Sequence, residues 1–268
     1  MTTKPLGKIC VGVGGWTFEP WRGVFYPKGL SQKRELEYAS RQLTSIEING
    51  TYHGTQKPES FVKWREETPG DFVFAVKGPR FATNRRVLAE AGESIARFFA
   101  SGVLELGDKL GPINWQFAKT KKFDLEDFAG FLALLPRRIE NREIRHAVEV
   151  RHESFLSSEF IELACEHDVA IVVAGQSEFP LIADVTTSFV YVRIMGASDA
   201  HEIGYAPEDL DKWASRARTW ASGGAPKDLP TLAPRPKAGQ GRDVFMFAIS
   251  GFKERNPAAA AGLLERLR

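Results

Sequence analysis

The sequence predicts a single (β/α)8 barrel, the TIM-barrel fold. Eight short apolar runs rich in β-branched and aromatic residues alternate with longer segments of helical pattern at roughly regular spacing. The length of 268 residues suits one such domain, which we expect to occupy residues 1–268. An open doubly wound sheet is the alternative. It would need a phosphate-binding glycine turn that opens a helix, and no helical pattern directly follows GVGGW at 12–16.

The strands and helices can be assigned in order along the chain. The eight strands are predicted at 9–15, 45–49, 71–78, 110–117, 146–152, 169–175, 188–196 and 243–251. Helical segments are predicted at 30–42, 57–68, 93–109, 124–136, 157–168, 207–224 and 256–268. Helix caps are expected at Ser31, at Asp124 and at Ser157 or Ser158, since short polar side chains accept hydrogen bonds from the first helical turn. Pro112 makes the fourth strand irregular.

Two connections depart from the regular pattern. The sixth connection, QSEFPLIADVTT at 176–187, is short and mostly without helical periodicity. The segment 222–242 is rich in Pro and Gly and predicts a long surface excursion before the eighth strand. It does not predict a domain boundary, because the eighth strand must still close the barrel.

Composition limits the function classes. The net charge of +2 is too small to predict a protein that coats nucleic acid or a membrane surface. The N-terminus has no apolar signal segment and no run approaches the length of a membrane span, so we expect a cytoplasmic protein without a membrane partner. Cys10 and Cys165 have neither metal-site spacing nor a disulfide framework, and both are expected to be core thiols.

Charged and polar residues occur late in several predicted strands. They are Glu47, Asn49, Lys77, Gln116, Glu149, Arg151, Tyr191 and Arg193. An outward-facing charge would meet a helix, where it is costly without a partner, so the inward face near the mouth is the better place. The carboxyl ends of barrel strands carry active sites. The set therefore predicts a functional mouth, and the alternative is that the Glu–Arg pairs only hold the barrel together.

Several sequence blocks resemble the DUF72 (YecE-like) family. They are VGVGGWTFEPWRGVFYPKGL, SIEINGTYHG, FVFAVKGPRFATNRRVL, LGPINWQF, AVEVRHESF and FVYVRIMG, from about residue 10 to 196. The resemblance implies a TIM barrel with an unassigned activity. It also implies a family position for the late-strand residues and for His152, which completes the Glu-x-Arg-His of the fifth strand.

The chain departs from the family pattern at the rim. The usual Phe-Tyr after the second strand is Tyr52-His53, and the histidines usual after the third and seventh strands are Asn84 and Met195. The usual sixth-strand aspartate is absent at Gly175-Gln176, and the usual asparagine pair is Ser250-Gly251. These departures remove imidazoles and a carboxylate from the rim and indicate a divergent branch.

Three cations, Lys77, Arg151 and Arg193, are predicted around one opening. Arg suits planar anions and Lys provides a point charge, so a phosphate or carboxylate ligand is the simplest consequence. Further cations lie in the loops beyond, at Arg80, Arg85, Arg86, Lys119, Lys121 and Lys122. These loop residues either extend the anion site or form a solvated rim.

Candidate catalytic roles each have a structural alternative. Glu47 and Glu149 are a general base and acid, or partners of an arginine. His152 transfers a proton, or hydrogen-bonds a loop. Lys77 forms a Schiff base if desolvated, or a salt bridge to a glutamate. The aromatic residues Trp16, Trp21, Tyr26 and Tyr52 form an apolar wall for a sugar or base, or pack their loops onto the barrel.

The resulting hypothesis is a metal-independent, cofactor-free enzyme acting on a small phosphorylated or carboxylated, sugar-like substrate. Glu47 or Glu149 would be the base, while Asn49, Gln116 and Tyr191 would orient the substrate. One alternative is a nucleic-acid enzyme or binder of the endonuclease type, and another is a binding module without turnover. A metal site would have to use His53, His152, Glu47 and Glu149, beside cations that repel a metal.

Overall fold

The computed structural model describes residues 5–237 and 239–268 and contains a parallel β-barrel. Nine parallel segments form the barrel sheet: Ile9–Gly14, Ser45–Ile48, Val73–Lys77, Leu110–Gln116, His146–Glu149, Ala170–Ile171, Val173–Gly175, Phe189–Ile194 and Asp243–Ala248. The sixth strand is divided in two. Ala170–Ile171 pairs with the fifth strand and Val173–Gly175 with the seventh, which closes the ring. The predicted (β/α)8 barrel is therefore confirmed, and the open doubly wound sheet is excluded.

Helices lie between the strands as the sequence pattern predicts. The α-helices are Glu35–Gln42, Gly50–His53, Pro58–Glu67, Arg80–Thr83, Gly92–Ala100, Leu125–Ala133, Ser158–Glu166, Pro207–Ala221 and Asn256–Leu267. Short 3-10 helices are Glu19–Trp21, Gln32–Arg34, Leu88–Glu90, Val103–Lys109, Glu153–Phe155 and Lys253–Arg255. Asp124 and Ser157 cap their helices by accepting from Asp127 N and Phe160 N. Ser31 instead precedes the 3-10 turn Gln32–Arg34 and its side chain makes no cap bond, so the cap predicted there is wrong.

The alternation of side chains along the strands separates two hydrophobic cores. The larger core lies between strands and helices and includes Ile46 and Ile48. The smaller one, which includes Ala75, Ala147 and Tyr191, fills the barrel interior. Residues two apart on a strand share a face, so these interior residues place Lys77, Glu149 and Arg193 on the inside. The small interior alanines leave room for these large polar side chains above them.

The two irregular connections pack against each other. Residues 176–187 form neither helix nor strand, as predicted. The Asp184 carboxylate accepts backbone hydrogen bonds from Leu232 and Ala233 in the excursion, and Ala183 N donates to Pro230 O at 3.1 Å. The excursion is thereby tied to the barrel surface, although its position 238 lies outside the described residues.

The two cysteines lie in different environments. Cys10 is buried inside the barrel, as predicted, whereas Cys165 is exposed. The prediction that both are core thiols is wrong for Cys165, because it sits on the outer face of the helix Ser158–Glu166.

Candidate functional site at the barrel mouth

A cavity of about 570 Å³ opens at the carboxyl ends of the strands. Its walls include six of the predicted site residues: Trp16, Asn49, Lys77, Gln116, Arg151 and Arg193. The volume lies in the range of small-molecule sites. The position agrees with the location of active sites in this fold.

A buried ion cluster centres on Arg193, the last charged residue of the seventh strand. Its Nη1 donates to Glu149 Oε2 at 2.5 Å and its Nη2 to Glu47 Oε1 at 3.2 Å. Both carboxylates are fully buried, and Arg193 is 3% exposed. Burial lowers the pKa of Arg193, but the two carboxylates outweigh it and the net shift is upward. One guanidinium therefore links three strands, the second, fifth and seventh, at the top of the interior.

Glu149 also holds the outermost cation of the cluster. Arg151 Nε donates to Glu149 Oε1 at 2.8 Å, and its guanidinium lies 4.4 Å from the ring centre of Phe179. Burial acts to raise the Glu149 pKa, but Arg193, Arg151 and Lys77 outweigh it and lower the pKa to about 2. Glu149 is thus ionised at neutral pH and positions two arginines.

Glu47 is held by neutral partners as well as by Arg193. Tyr191 donates its hydroxyl to Glu47 Oε2 at 2.5 Å, and Asn114 Nδ2 donates to the same oxygen at 3.3 Å. Asn114 also donates to Glu149 Oε2, and so bridges the two carboxylates. Asn114 was not among the predicted site residues. The signal for it was its position two residues before Gln116 on the fourth strand, on the same face.

Neither glutamate lines the cavity. Both are fully buried beneath it, and each contacts an arginine that does line it. The geometry gives Glu47 and Glu149 a positioning role. Their direct participation in proton transfer stays a prediction.

Lys77, at the end of the third strand, lines the cavity but has a different environment. Its Nζ donates to Gln116 Oε1, which also accepts from Arg193 Nη1 at 3.3 Å. The ammonium lies 4.7 Å from the ring centre of Tyr52. Burial, followed by the charge of Arg193, lowers the pKa of Lys77 to about 8. The salt bridge to a glutamate, one of the two alternatives for Lys77, is not formed among the described residues.

The remaining predicted residues divide between the mouth and its support. Trp16 and Asn49 line the cavity, and Trp16 packs edge-on against Trp64 at 5.2 Å. His152 does not line it: its Nδ1 accepts from Ser154 N at 3.1 Å and caps the turn Glu153–Phe155. Trp21 and Tyr26 are both buried and pack the first connection onto the barrel.

One mouth cation was missed by the sequence reasoning. Lys253, just after the eighth strand, lines the cavity with its ammonium 4.1 Å from the Phe18 ring centre. Burial lowers its pKa. The family resemblance weakens toward the last strand, so no motif marked this position.

The loop cations lie outside the mouth cavity, and four of them line one groove, the basic surface: Arg85, Arg86, Lys121 and Lys122. Lys119 instead pairs with the Glu178 carboxylate. Arg80, Arg86, Lys119 and Lys122 are exposed. Lys121 instead has a structural role, because its Nζ donates to the backbone oxygens of Arg85 and Arg86. At the positions that depart from the family pattern, Ser250 lines the cavity, Asn84 is exposed, and Gly175 and Met195 are buried.

Across residues 5–237 and 239–268, no group of three His, Cys, Asp or Glu side chains is arranged to hold a metal ion. His53 lines the cavity, while His152 lies outside it. Among the same residues, no helix has the length and apolar character needed to cross a membrane.

The comparisons with known proteins identify the family. A family model described as "Protein of unknown function DUF72" matches residues 10–268. The chain belongs to the DUF72 family. The curated UPF0759 protein YecE of Escherichia coli (strain K12) is 27% identical over 150 residues, which are 56% of this chain. That match spans 50% of the relative, so the chain aligns with about half of its length.

Solved DUF72 structures share the fold over nearly the whole chain. A DUF72 protein of Thermotoga maritima superposes with a TM-score of 0.71 at 23% identity, covering 97% of this chain and 98% of the other. A DUF72 protein of Enterococcus faecalis gives a TM-score of 0.69 at 17% identity, covering 97% and 95%. At these identities the likeness shows the fold alone, and the function has to be argued from the mouth.

Proposed function

We propose that this DUF72 protein is a metal-independent enzyme that binds a small anionic, sugar-like substrate in the barrel mouth. The observation that carries the proposal is the charge balance of the cluster. Three cations, Lys77, Arg151 and Arg193, are arranged with two carboxylates, Glu47 and Glu149, at the base of one open cavity. With both carboxylates ionised, the cluster carries a formal charge of +1, which an anionic ligand would neutralise.

The excess charge belongs to the residues that face the opening. Arg193 has both terminal nitrogens engaged by Glu47, Glu149 and Gln116. The side chain of Arg151 keeps 19% of its surface exposed. Lys253 adds a further positive charge on the same cavity wall. We therefore assign phosphate or carboxylate binding to Arg151 and Lys253.

The other walls suit a polyhydroxylated ligand. Asn49, Gln56, Gln116 and Asn256 bring amide groups to the cavity, and Trp16 provides an aromatic wall. Amides donate to and accept from hydroxyl groups, while an aromatic face packs on the apolar side of a sugar. This combination supports a phosphorylated or carboxylated sugar over a purely apolar acid.

Titration with inorganic phosphate tests the proposal. Each charge-assisted hydrogen bond contributes about 1.5–3 kcal/mol, so Arg151→Ala is expected to weaken binding by at least about tenfold. Arg86→Ala is the matched control, because Arg86 is exposed on the basic surface outside the cavity. Thermal melting checks that Arg151→Ala is folded, since Glu149 loses a partner. Equal phosphate affinity in folded wild-type and Arg151→Ala protein would refute the assignment of an anion site to the mouth.

Turnover needs a separate measurement. A panel of sugar phosphates and sugar acids incubated with the protein and followed by proton NMR should show conversion of at least one compound. If calorimetry shows binding but every compound is recovered unchanged, the protein is a binding module and not an enzyme.

Nucleic-acid binding is the second candidate, and the basic surface favours it. Arg86 and Lys122 are exposed on this surface, and the guanidinium of Arg80 lies 5.5 Å from the ring centre of Phe81, which is 59% exposed. Cations that track phosphates together with an exposed ring for base stacking are a feature of single-strand binding sites. Affinity for a single-stranded oligonucleotide that falls steeply with salt, and falls again in Phe81→Ala, would support it. Absence of binding at low salt would exclude it.

A further inference from the structure

Lys77 differs from the other cations of the mouth in what its nitrogen contacts. Its Nζ donates one hydrogen bond, to the neutral amide of Gln116. No ion pair among the described residues includes Lys77, although it is only 6% exposed. The residue ends the third strand, so the barrel fixes its backbone. A buried amine that borders a cavity without a direct ion-pair partner is positioned to react with a ligand there.

Lys109, a partly buried lysine elsewhere in the fold, shows the contacts of a lysine with a structural role. Lys109 Nζ donates to Arg65 O, Thr68 O and Thr68 Oγ1, which uses all three N–H groups of the ammonium. Lys109 lies outside the mouth cavity. Lys77 Nζ makes one such hydrogen bond. The neutral amine can still donate that bond, and its lone pair then remains free to react. Structural anchoring therefore accounts for Lys109 and not for Lys77.

The surroundings of Lys77 lower the pKa of its amine, mainly through burial. Burial comes first, and the guanidinium groups of Arg193 and Arg151 add to it, while Glu47 and Glu149 oppose it. The Tyr52 ring also favours the charged form. The result is a Lys77 pKa of about 8 in place of 10.5. At neutral pH this gives on the order of 100-fold more neutral amine than an ordinary lysine has.

We propose that Lys77 is the nucleophile of the mouth and forms an imine with a carbonyl carbon of the bound substrate. This inference rests on the proposed function and narrows its substrate class to aldehydes and ketones that carry a phosphate or carboxylate. Arg151 and Lys253 hold the anionic group, and Gln116 orients the amine.

The reaction balances without a further reactant. The Nζ lone pair attacks the carbonyl carbon and forms the C–N bond, while the carbonyl oxygen takes up a proton to give a carbinolamine. The C–O bond then breaks, and the oxygen leaves as water with the two protons that the amine carried. Water in the open mouth exchanges the protons.

Reductive trapping tests the assignment. Wild-type protein is incubated with sodium cyanoborohydride and one of three probes: pyruvate, dihydroxyacetone phosphate, or uncharged dihydroxyacetone. Peptide mapping by mass spectrometry then compares Lys77 with Lys109 and Lys253. We expect at least about tenfold more adduct on Lys77 than on either, and more with the two anionic probes than with the uncharged one.

Two results would overturn the inference. One is an adduct spread evenly over the three lysines, and the other is a total adduct yield unchanged in Lys77→Arg, which keeps the charge and removes the reactive amine. Mapping of the wild-type protein decides the question even if that variant does not fold. A parallel phosphate titration separates the two proposals. Phosphate binding without any adduct would refute the imine and leave the anion site standing. If the protein neither binds phosphate nor forms an adduct, both proposals are refuted.

Discussion

Replacing Arg193 by alanine is the most informative test of the ion cluster. Arg193 pairs with Glu47 and Glu149, both fully buried. Its removal leaves these carboxylates with Tyr191, Asn114 and Arg151 as partners, and leaves an interior void as well. Breaking a buried ion pair from one side costs about 3–5 kcal/mol, because an uncompensated charge stays buried. A domain with a total stability of about 5–15 kcal/mol would lose a large fraction of it.

The pH dependence of the same variant gives an independent estimate of the effect. In the wild type the Glu149 pKa falls from 4.5 to about 2, because the cations outweigh burial. A depressed folded-state pKa contributes stability that is present above pH 4.5 and lost as the pH falls towards 2. The shift corresponds to about 3 kcal/mol. Without Arg193 the depression shrinks, so the stability difference between wild type and variant should narrow below pH 4.5.

Urea unfolding of the two proteins between pH 7 and pH 3 measures both effects. Arg97→Ala is the matched control, because Arg97 forms an ion pair with Glu93 in which both side chains are at least 70% exposed. That control should lose no more than about 1 kcal/mol. An Arg193→Ala protein as stable as the control, with an unchanged pH profile, would refute the idea that Arg193 holds the barrel top together.

Three further predictions concern other positions. Lys253→Ala should weaken phosphate binding several-fold with little change in melting temperature, since no ion pair among the described residues includes its ammonium, which lies over the Phe18 ring; titration and melting measure this. Burial lowers the pKa of His146 from 6.5 to about 4. The free energy of unfolding should therefore fall by about 3 kcal/mol as the pH drops from 6.5 towards 4. Urea unfolding of His146→Phe should show a smaller fall over the same pH range. Gly78→Ala places a Cβ 2.3 Å from the Trp115 ring and should cost about 1–3 kcal/mol.

The side chains at the strand ends were predictable, because the alternation of faces along a strand and the common direction of parallel strands are sufficient to place them. Glu47, Glu149 and Arg193 each follow an apolar run in parallel strands, and parallel strands bring their carboxyl ends to one side. Their convergence thus followed from local pattern alone. The pairing of cations with carboxylates did not follow from that pattern, because the sequence does not determine which of the three cations reaches which carboxylate across the barrel.

Where the prediction stopped, it did so for identifiable reasons. The fifth strand was extended to His152, but pairing ends at Glu149 and the chain turns, so the imidazole caps that turn. The run VAIVVAG at 169–175 is uniformly apolar and gives no sign of the break at Val172. Lys253 lies in a loop, where no periodicity constrains direction, and its place in the cavity depends on tertiary packing.

The divided sixth strand gives the barrel a seam. Ala170–Ile171 is registered with the fifth strand through two residue pairs, and Val173–Gly175 with the seventh through three, whereas the seventh and eighth strands share six. Amide hydrogens on either side of Val172 should therefore exchange with solvent sooner than those of the first and eighth strands. The Asp184 carboxylate, in the connection that follows this strand, binds the excursion at Leu232 and Ala233 and so ties that connection down. Opening of the barrel would begin at this divided strand, which lies across the barrel from the second strand.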